Sequence, residues 1–209
     1  MNSPKLNTKL TNSRLIITIY SMLCDHLKCL IDRPLQFIAN RTDIHPNTFT
    51  VTGLIVTMVA AVTLTHNLFL GGLLILISGF FDLLDGAVAK AQNKFTDFGA
   101  FLDSVIDRYS DAFLFLGFTW YFFNIKSLTG IWMSLGSMVG ALLISYTRAK
   151  AEGMGKDCKV GIMERPERVL LMAFGAITGW VETIMGIMLI LTHATVIQRI
   201  YHVRKVMNK

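Results

Sequence analysis

The sequence predicts an all-α integral membrane protein, with six transmembrane helices preceded by an N-terminal interfacial amphipathic helix, and three observations predict it. Of 209 residues, 53% are hydrophobic and only 16% charged, with a mean hydropathy of +0.51, a balance too apolar for an ordinary soluble domain. The apolar residues gather into six stretches, near 49–66, 69–90, 97–124, 128–151, 166–181 and 183–203. Most approach the roughly 20 residues that a bilayer core of about 30 Å requires of a helix. The positive charges fall almost entirely between alternate stretches, as they do in membrane proteins. Two units follow: an N-terminal cytoplasmic segment over 1–45 and a six-helix transmembrane domain over 46–209.

Taken from the N-terminus, residues 1–13 are polar. Over 14–39, Leu15, Ile19, Leu23, Leu27, Leu30 and Ile31 recur at near-helical spacing between Arg14, Asp25, Lys28 and Arg33. That pattern suits a helix lying in the membrane interface. A signal peptide fits less well, because Asp25 breaks the apolar run and no small-residue cleavage site follows. Six spans return the chain to its starting side. Eighteen of the 20 Lys and Arg residues lie before the first span, at the second and fourth turns, and after the sixth, whereas Lys126 alone occupies the opposite loops and Arg108 lies inside a span. Both termini and those two turns are therefore placed in the cytoplasm of a multi-pass cell-membrane protein. The +6 net charge is explained by loop retention and by anionic membrane lipids, without a nucleic acid partner. Cys24, Cys29 and Cys158 are odd in number and show no C-x-x-C spacing, so neither a disulfide framework nor a zinc knuckle is indicated.

Spans two and three carry Asp82, Asp85, Asp103, Asp107 and Asp111 within apolar sequence. Each carboxylate at membrane depth costs roughly 2.5 to 3.5 kcal/mol even on permissive insertion scales. Spacings of three and four put each set along one helix face. Measured from the turn near 93–96 at 1.5 Å per residue, the two sets reach similar depth, roughly 12 to 20 Å into the bundle. Four converging carboxylates repel unless bridged, and two divalent cations neutralise them. Oxygen ligands favour Mg²⁺ or Mn²⁺, and such ions suit a phosphate or pyrophosphate substrate. Gly86 permits close backbone or ligand approach. The competing explanation is that the acids pair with Lys90, Lys94 and Arg108 or line an ion pathway, but these cations are fewer than the acids and lie mostly toward the turn.

The run Asp82-x2-Asp85-Gly86-x2-Ala89-Lys90-x8-Gly99-x3-Asp103-x3-Asp107 resembles the signature of the CDP-alcohol phosphatidyltransferase family. It departs from that signature in having Lys90 in place of arginine, which keeps the charge and loses the two-pronged donor. The resemblance implies a six-span, usually homodimeric enzyme that transfers a phosphatidyl-type group from a CDP-linked lipid donor to an alcohol and releases CMP. Carried over by position, it implies that Asp82, Asp85, Asp103 and Asp107 bind two Mg²⁺ or Mn²⁺ ions and that Asp107 also takes the proton of the attacking hydroxyl. Gly86, Ala89 and Lys90 would line the cytidine diphosphate site. Asn47, after Pro46, resembles the family's residue beside the nucleotide, though on local grounds it is equally a helix start. Asp111 lies one turn beyond the signature and is read as structural.

Arg148 and Lys150 close span four, and Arg165 and Arg168 open span five at i, i+3 spacing. Such a group suits an acceptor that carries its own phosphate. It also fits plain positive-inside charge, because Glu152, Asp157, Glu164 and Glu167 reduce the net charge of this stretch to +2. The runs SYTRAKAEG at 145–153 and GIMERPER at 161–168 resemble the phosphatidylinositol phosphate and archaetidylinositol phosphate synthase branch of the family. That resemblance implies inositol phosphate as acceptor, held by Arg148, Lys150, Arg165 and Arg168. Other acceptors of the same chemistry are glycerol phosphate, serine and inositol. An intramembrane prenyltransferase fits the acid spacing less well, and a cation carrier would be expected to show a repeated broken-helix pattern in two halves, which the sequence lacks. Gly136-x3-Gly140 and Gly175-x3-Gly179 are expected to pack helices within the chain.

Overall fold

The structure, a computed structural model, describes residues 45–92 and 96–208. The interfacial helix expected over 14–39 lies outside the described residues. Those described form six helices and no strand: α1 (Pro46–Leu64), α2 (Leu68–Ala91), α3 (Asp97–Asn124), α4 (Leu128–Glu152), α5 (Arg165–Thr178) and α6 (Val181–Met207).

The helix starts follow from local chemistry. Asn67, Thr96 and Ser127 each accept a hydrogen bond from the backbone N–H three residues on, at 3.0, 3.0 and 3.1 Å, which satisfies a donor the helix itself leaves open. Pro46 and Pro166 occupy first-turn positions, where a missing N–H costs nothing. At the far end of α5, Gly179 adopts φ 78°, the left-handed conformation that terminates a helix. The apolar stretch expected over 166–181 is therefore a 14-residue helix, about 21 Å long against a core of about 30 Å. By length and composition, α1, α2, α4 and α6 suffice to cross a membrane. α3 is long enough at 28 residues, but its acids lower its mean hydropathy.

The helices close into a ring in which α1 packs on α2 and α3, α3 on α4, α4 on α6, α6 on α5, and α5 on α2. The consecutive helices α2 and α3 are thus not close packing neighbours, because α1 is wedged against both. Phe115, Phe118 and Phe122 of α3, Met172 of α5, and Met185 and Met188 of α6 fill the centre. Of the glycines expected to pack helices internally, Gly136, Gly140 and Gly175 do so, whereas Gly179 has open space where a Cβ would stand and ends α5 instead. A methyl group at Gly136 would stand 2.7 Å from Leu189, and one at Gly140 would collide with Thr192, so α4 and α6 approach more closely than larger residues allow.

Candidate active site

The acids of α2 and α3 meet inside the ring. One carboxylate oxygen from each of Asp82, Asp85 and Asp103 lies within 4.8 Å of the other two. At that spacing each charged pair repels by about 3.5 kcal/mol at an effective dielectric of about 20. Asp85 is buried, and its Oδ2 has no hydrogen-bond partner among the described residues, which in a buried site costs about 1–3 kcal/mol. Three hard oxygens converging from two helices, one of them unsatisfied, have the donor chemistry of a Mg²⁺ or Mn²⁺ site. The residues present fit such an ion.

Beside this cluster is a cavity of about 150 Å³ lined by Pro46, Asn47 and Thr50 of α1, by Asp85, Gly86 and Ala89 of α2, and by Gly99, Ala100 and Asp103 of α3, with Thr96. The wedging of α1 between α2 and α3 brings Asn47 to the acids. Gly86 has open space where a Cβ would stand, so the backbone of α2 can be approached closely there. Of the residues expected at the nucleotide, Asn47, Gly86 and Ala89 line this cavity. Lys90, at the end of α2, is exposed and lies outside the lining.

Asp107 stands apart from the three clustered acids. Its Oδ1 lies 2.9 Å from Nη1 of Arg165, which also pairs with Asp82. Arg165 therefore joins the first turn of α5 to α2 and α3 together. One turn along, Nη2 of Arg168 is 2.5 Å from Oδ2 of Asp111, and both side chains are buried. These are two parallel rungs between α3 and α5, generated by i, i+4 spacing on one helix and i, i+3 on the other. The residue that the sequence left as structural, Asp111, is the buried counter-charge of Arg168.

Asp107, Arg108, Asp111, Ser145, Arg148, Glu164, Arg165, Arg168 and Arg199 line a second cavity of about 210 Å³, with Ile144 and Pro166. Three of the four basic residues expected at the acceptor, Arg148, Arg165 and Arg168, come together here, and Nε of Arg168 is buried without a hydrogen-bond partner among the described residues. Lys150 does not join them. It is exposed, and two residues from Arg148 it faces the other side of α4, since i and i+2 are about 200° apart on a helix. Arg199, counted in the sequence only as part of the basic C-terminal end, is 2% exposed. It donates from Nε to the Val160 carbonyl at 2.7 Å and from Nη1 to the Ile144 carbonyl at 2.6 Å. The signal was its position: Val181, Ile184, Met188, Thr192, Thr195 and Arg199 form one buried stripe of α6.

A ring of apolar helices that encloses a carboxylate cluster beside an arginine-lined cavity defines a class: membrane proteins arranged to hold divalent cations next to anionic substrates. The chain belongs to the CDP-alcohol phosphatidyltransferase family, whose model matches residues 43–198. It is 34% identical over 192 residues to archaetidylinositol phosphate synthase of Methanothermobacter thermautotrophicus, covering 88% of this chain and 96% of that one. Among solved structures it resembles phosphatidylinositol phosphate synthase of Mycobacterium tuberculosis. With CDP-DAG bound, that protein superposes at a TM-score of 0.76 with 30% identity, over 82% of this chain and 94% of that one. In complex with manganese and citrate, it gives a TM-score of 0.73 and 29% identity, over 82% and 88% of the two chains.

Proposed function

We propose that this protein transfers a phosphatidyl-type group, diacylglycerol phosphate or archaeol phosphate, from a CDP-linked lipid to inositol phosphate and releases CMP, a step of phospholipid biosynthesis. One observation carries the reading: Asp107 lines the arginine-lined cavity and shares Arg165 with Asp82 of the carboxylate cluster, so one guanidinium links the two parts of the site. Reacting groups bound in the two cavities would meet at that carboxylate. The relatives named for inositol phosphate lipids, at 34% identity and at a TM-score of 0.76, support the choice of acceptor.

In this reading Asn47, Gly86 and Ala89 receive the cytidine diphosphate, with Lys90 at the rim. Arg148, Arg165 and Arg168 hold the acceptor's phosphate through charged hydrogen bonds, with Lys150 contributing only long-range charge. A free hydroxyl of the acceptor is then directed at Asp107, which takes its proton as the oxygen attacks the lipid-side phosphorus. The new P–O bond forms as the bond to CMP breaks. Two ions, Mg²⁺ or Mn²⁺, held by Asp82, Asp85 and Asp103 with Asp107 at their acceptor side, would supply Lewis-acid stabilisation of the pyrophosphate oxygens.

The chain serves this role as a six-span homodimer with both termini and the site at the cytoplasmic face. The positive-inside distribution of charge supports that orientation. The test is CMP release by the purified protein given CDP-lipid and Mn²⁺ or Mg²⁺ with inositol phosphate, free inositol, glycerol phosphate or serine. Inositol phosphate is expected to give the fastest release, and a chelator should stop it. Faster release with any of the other three acceptors would overturn the choice of acceptor.

A further inference from the structure

The arginine-lined cavity contains carboxylates as well as cations, and they are not equivalent. Asp111 lies 2.5 Å from Arg168 and Asp107 lies 2.9 Å from Arg165. Glu164, at the start of α5, has a side chain 46% exposed, and its Oε1 is 3.8 Å from Nη2 of Arg199, beyond hydrogen-bond range. It holds the N-cap position, yet its side chain caps no backbone N–H. Among the described residues of this lining, Glu164 is the carboxylate not drawn into a short ion pair. For phosphate binding alone Glu164 is a disadvantage, since a half-exposed carboxylate that only loosely faces Arg199 weakens the arginines' hold on another anion.

A carboxylate offers acceptor capacity alone, about four lone-pair sites, and it bonds hydroxyl groups strongly. The opposite end of an acceptor whose phosphate sits on Arg148, Arg165 and Arg168 needs such a partner. Ser145 of α4, which both donates and accepts, lines the same cavity. We propose that Glu164, assisted by Ser145, is the specificity residue that recognises the ring hydroxyls of a cyclic polyol phosphate, while the arginines recognise its phosphate. The proposal rests on transfer to inositol phosphate and deepens it. It divides the cavity into an anion-reading half and a hydroxyl-reading half. A phosphate ester with few hydroxyls engages only the first.

The test uses the full-length protein with CDP-lipid and Mn²⁺, comparing wild type, Glu164→Gln and Glu164→Asp by CMP release. Three constants are measured: the KM of inositol phosphate and the inhibition constants of glycerol phosphate and inorganic phosphate against it. In Glu164→Gln the KM of inositol phosphate should rise about tenfold, the loss expected for one charged hydrogen bond. Inorganic phosphate should bind equally well or more tightly, because a negative charge has gone. Glycerol phosphate should shift by less than about twofold. Glu164→Asp keeps the charge on a shorter arm, should fall between the two, and supplies the same ratios if Glu164→Gln does not fold. Three constants moving together would make Glu164 a mere counter-charge and overturn the proposal. Wild type that releases no CMP with inositol phosphate would instead overturn the choice of acceptor.

Discussion

The two halves of the site solve the burial of charge in opposite ways. In the carboxylate cluster, Asp82, Asp85 and Asp103 crowd within 4.8 Å, and among the described residues only Asp82 has a cation against it, Arg165. In the arginine-lined cavity each cation has a protein counter-charge: Arg165 has Asp107, which Arg108 also faces, Arg168 has Asp111, Arg148 has Glu152 at 2.8 Å, and Arg199 faces Glu164. A cluster of like charges is tolerable inside a membrane protein when something of opposite charge joins it. A matched set of pairs can stand by itself and needs only unspoken-for donors, such as Nε of Arg168, to attract a ligand. The first half therefore has the donor chemistry of an ion site, and the second offers donors that an anionic molecule would reach only in competition with internal partners.

The largest effect should come where the halves meet. Asp107→Asn keeps the shape and removes the base, so turnover should fall by about 10² to 10⁴ while binding of CDP-lipid persists. Wild-type turnover in that variant would remove Asp107 from the chemistry and break the division. Arg168→Ala should have the next largest effect, because it leaves Asp111 buried and unpaired, a loss of about 3 to 5 kcal/mol. It should appear as a lowered Tm, and the double variant Asp111→Ala/Arg168→Ala should recover part of it. A double variant as unstable as the single one would show that the pair is not the unit. The smallest effect should come from Lys150→Ala, which faces away from the cavity. Its acceptor KM should change by no more than about twofold, as for a surface charge, and a tenfold rise would place Lys150 on the acceptor after all.

The carboxylate half was legible because its spacing is local. Counting from one turn fixes the depth of Asp82, Asp85 and Asp103 on α2 and α3, and period alone sets which residues share a face. What counting could not give is that α1 separates those two helices and delivers Asn47 to the cluster. The arginine half was legible only in part. Arg148, Arg165 and Arg168 were found through their spacing and wording, but Lys150 was grouped with them by proximity in sequence, where the helix turns it away. Arg199 was passed over because a basic residue near the C-terminus reads as membrane-side charge until the buried stripe of α6 is traced through it.

The sequence by itself determined the six helices, the apolar character of the bundle and the shared faces of the acids, because propensity and helical period act within about four residues. Only the tertiary structure decided which faces meet: Asp107 toward the arginines, Asp111 on Arg168, Glu164 and Arg199 into one cavity. Ring closure brings together α3, α4, α5 and α6 from across some 100 residues, and the packing of glycines and large apolar side chains that closes it has no local period to read.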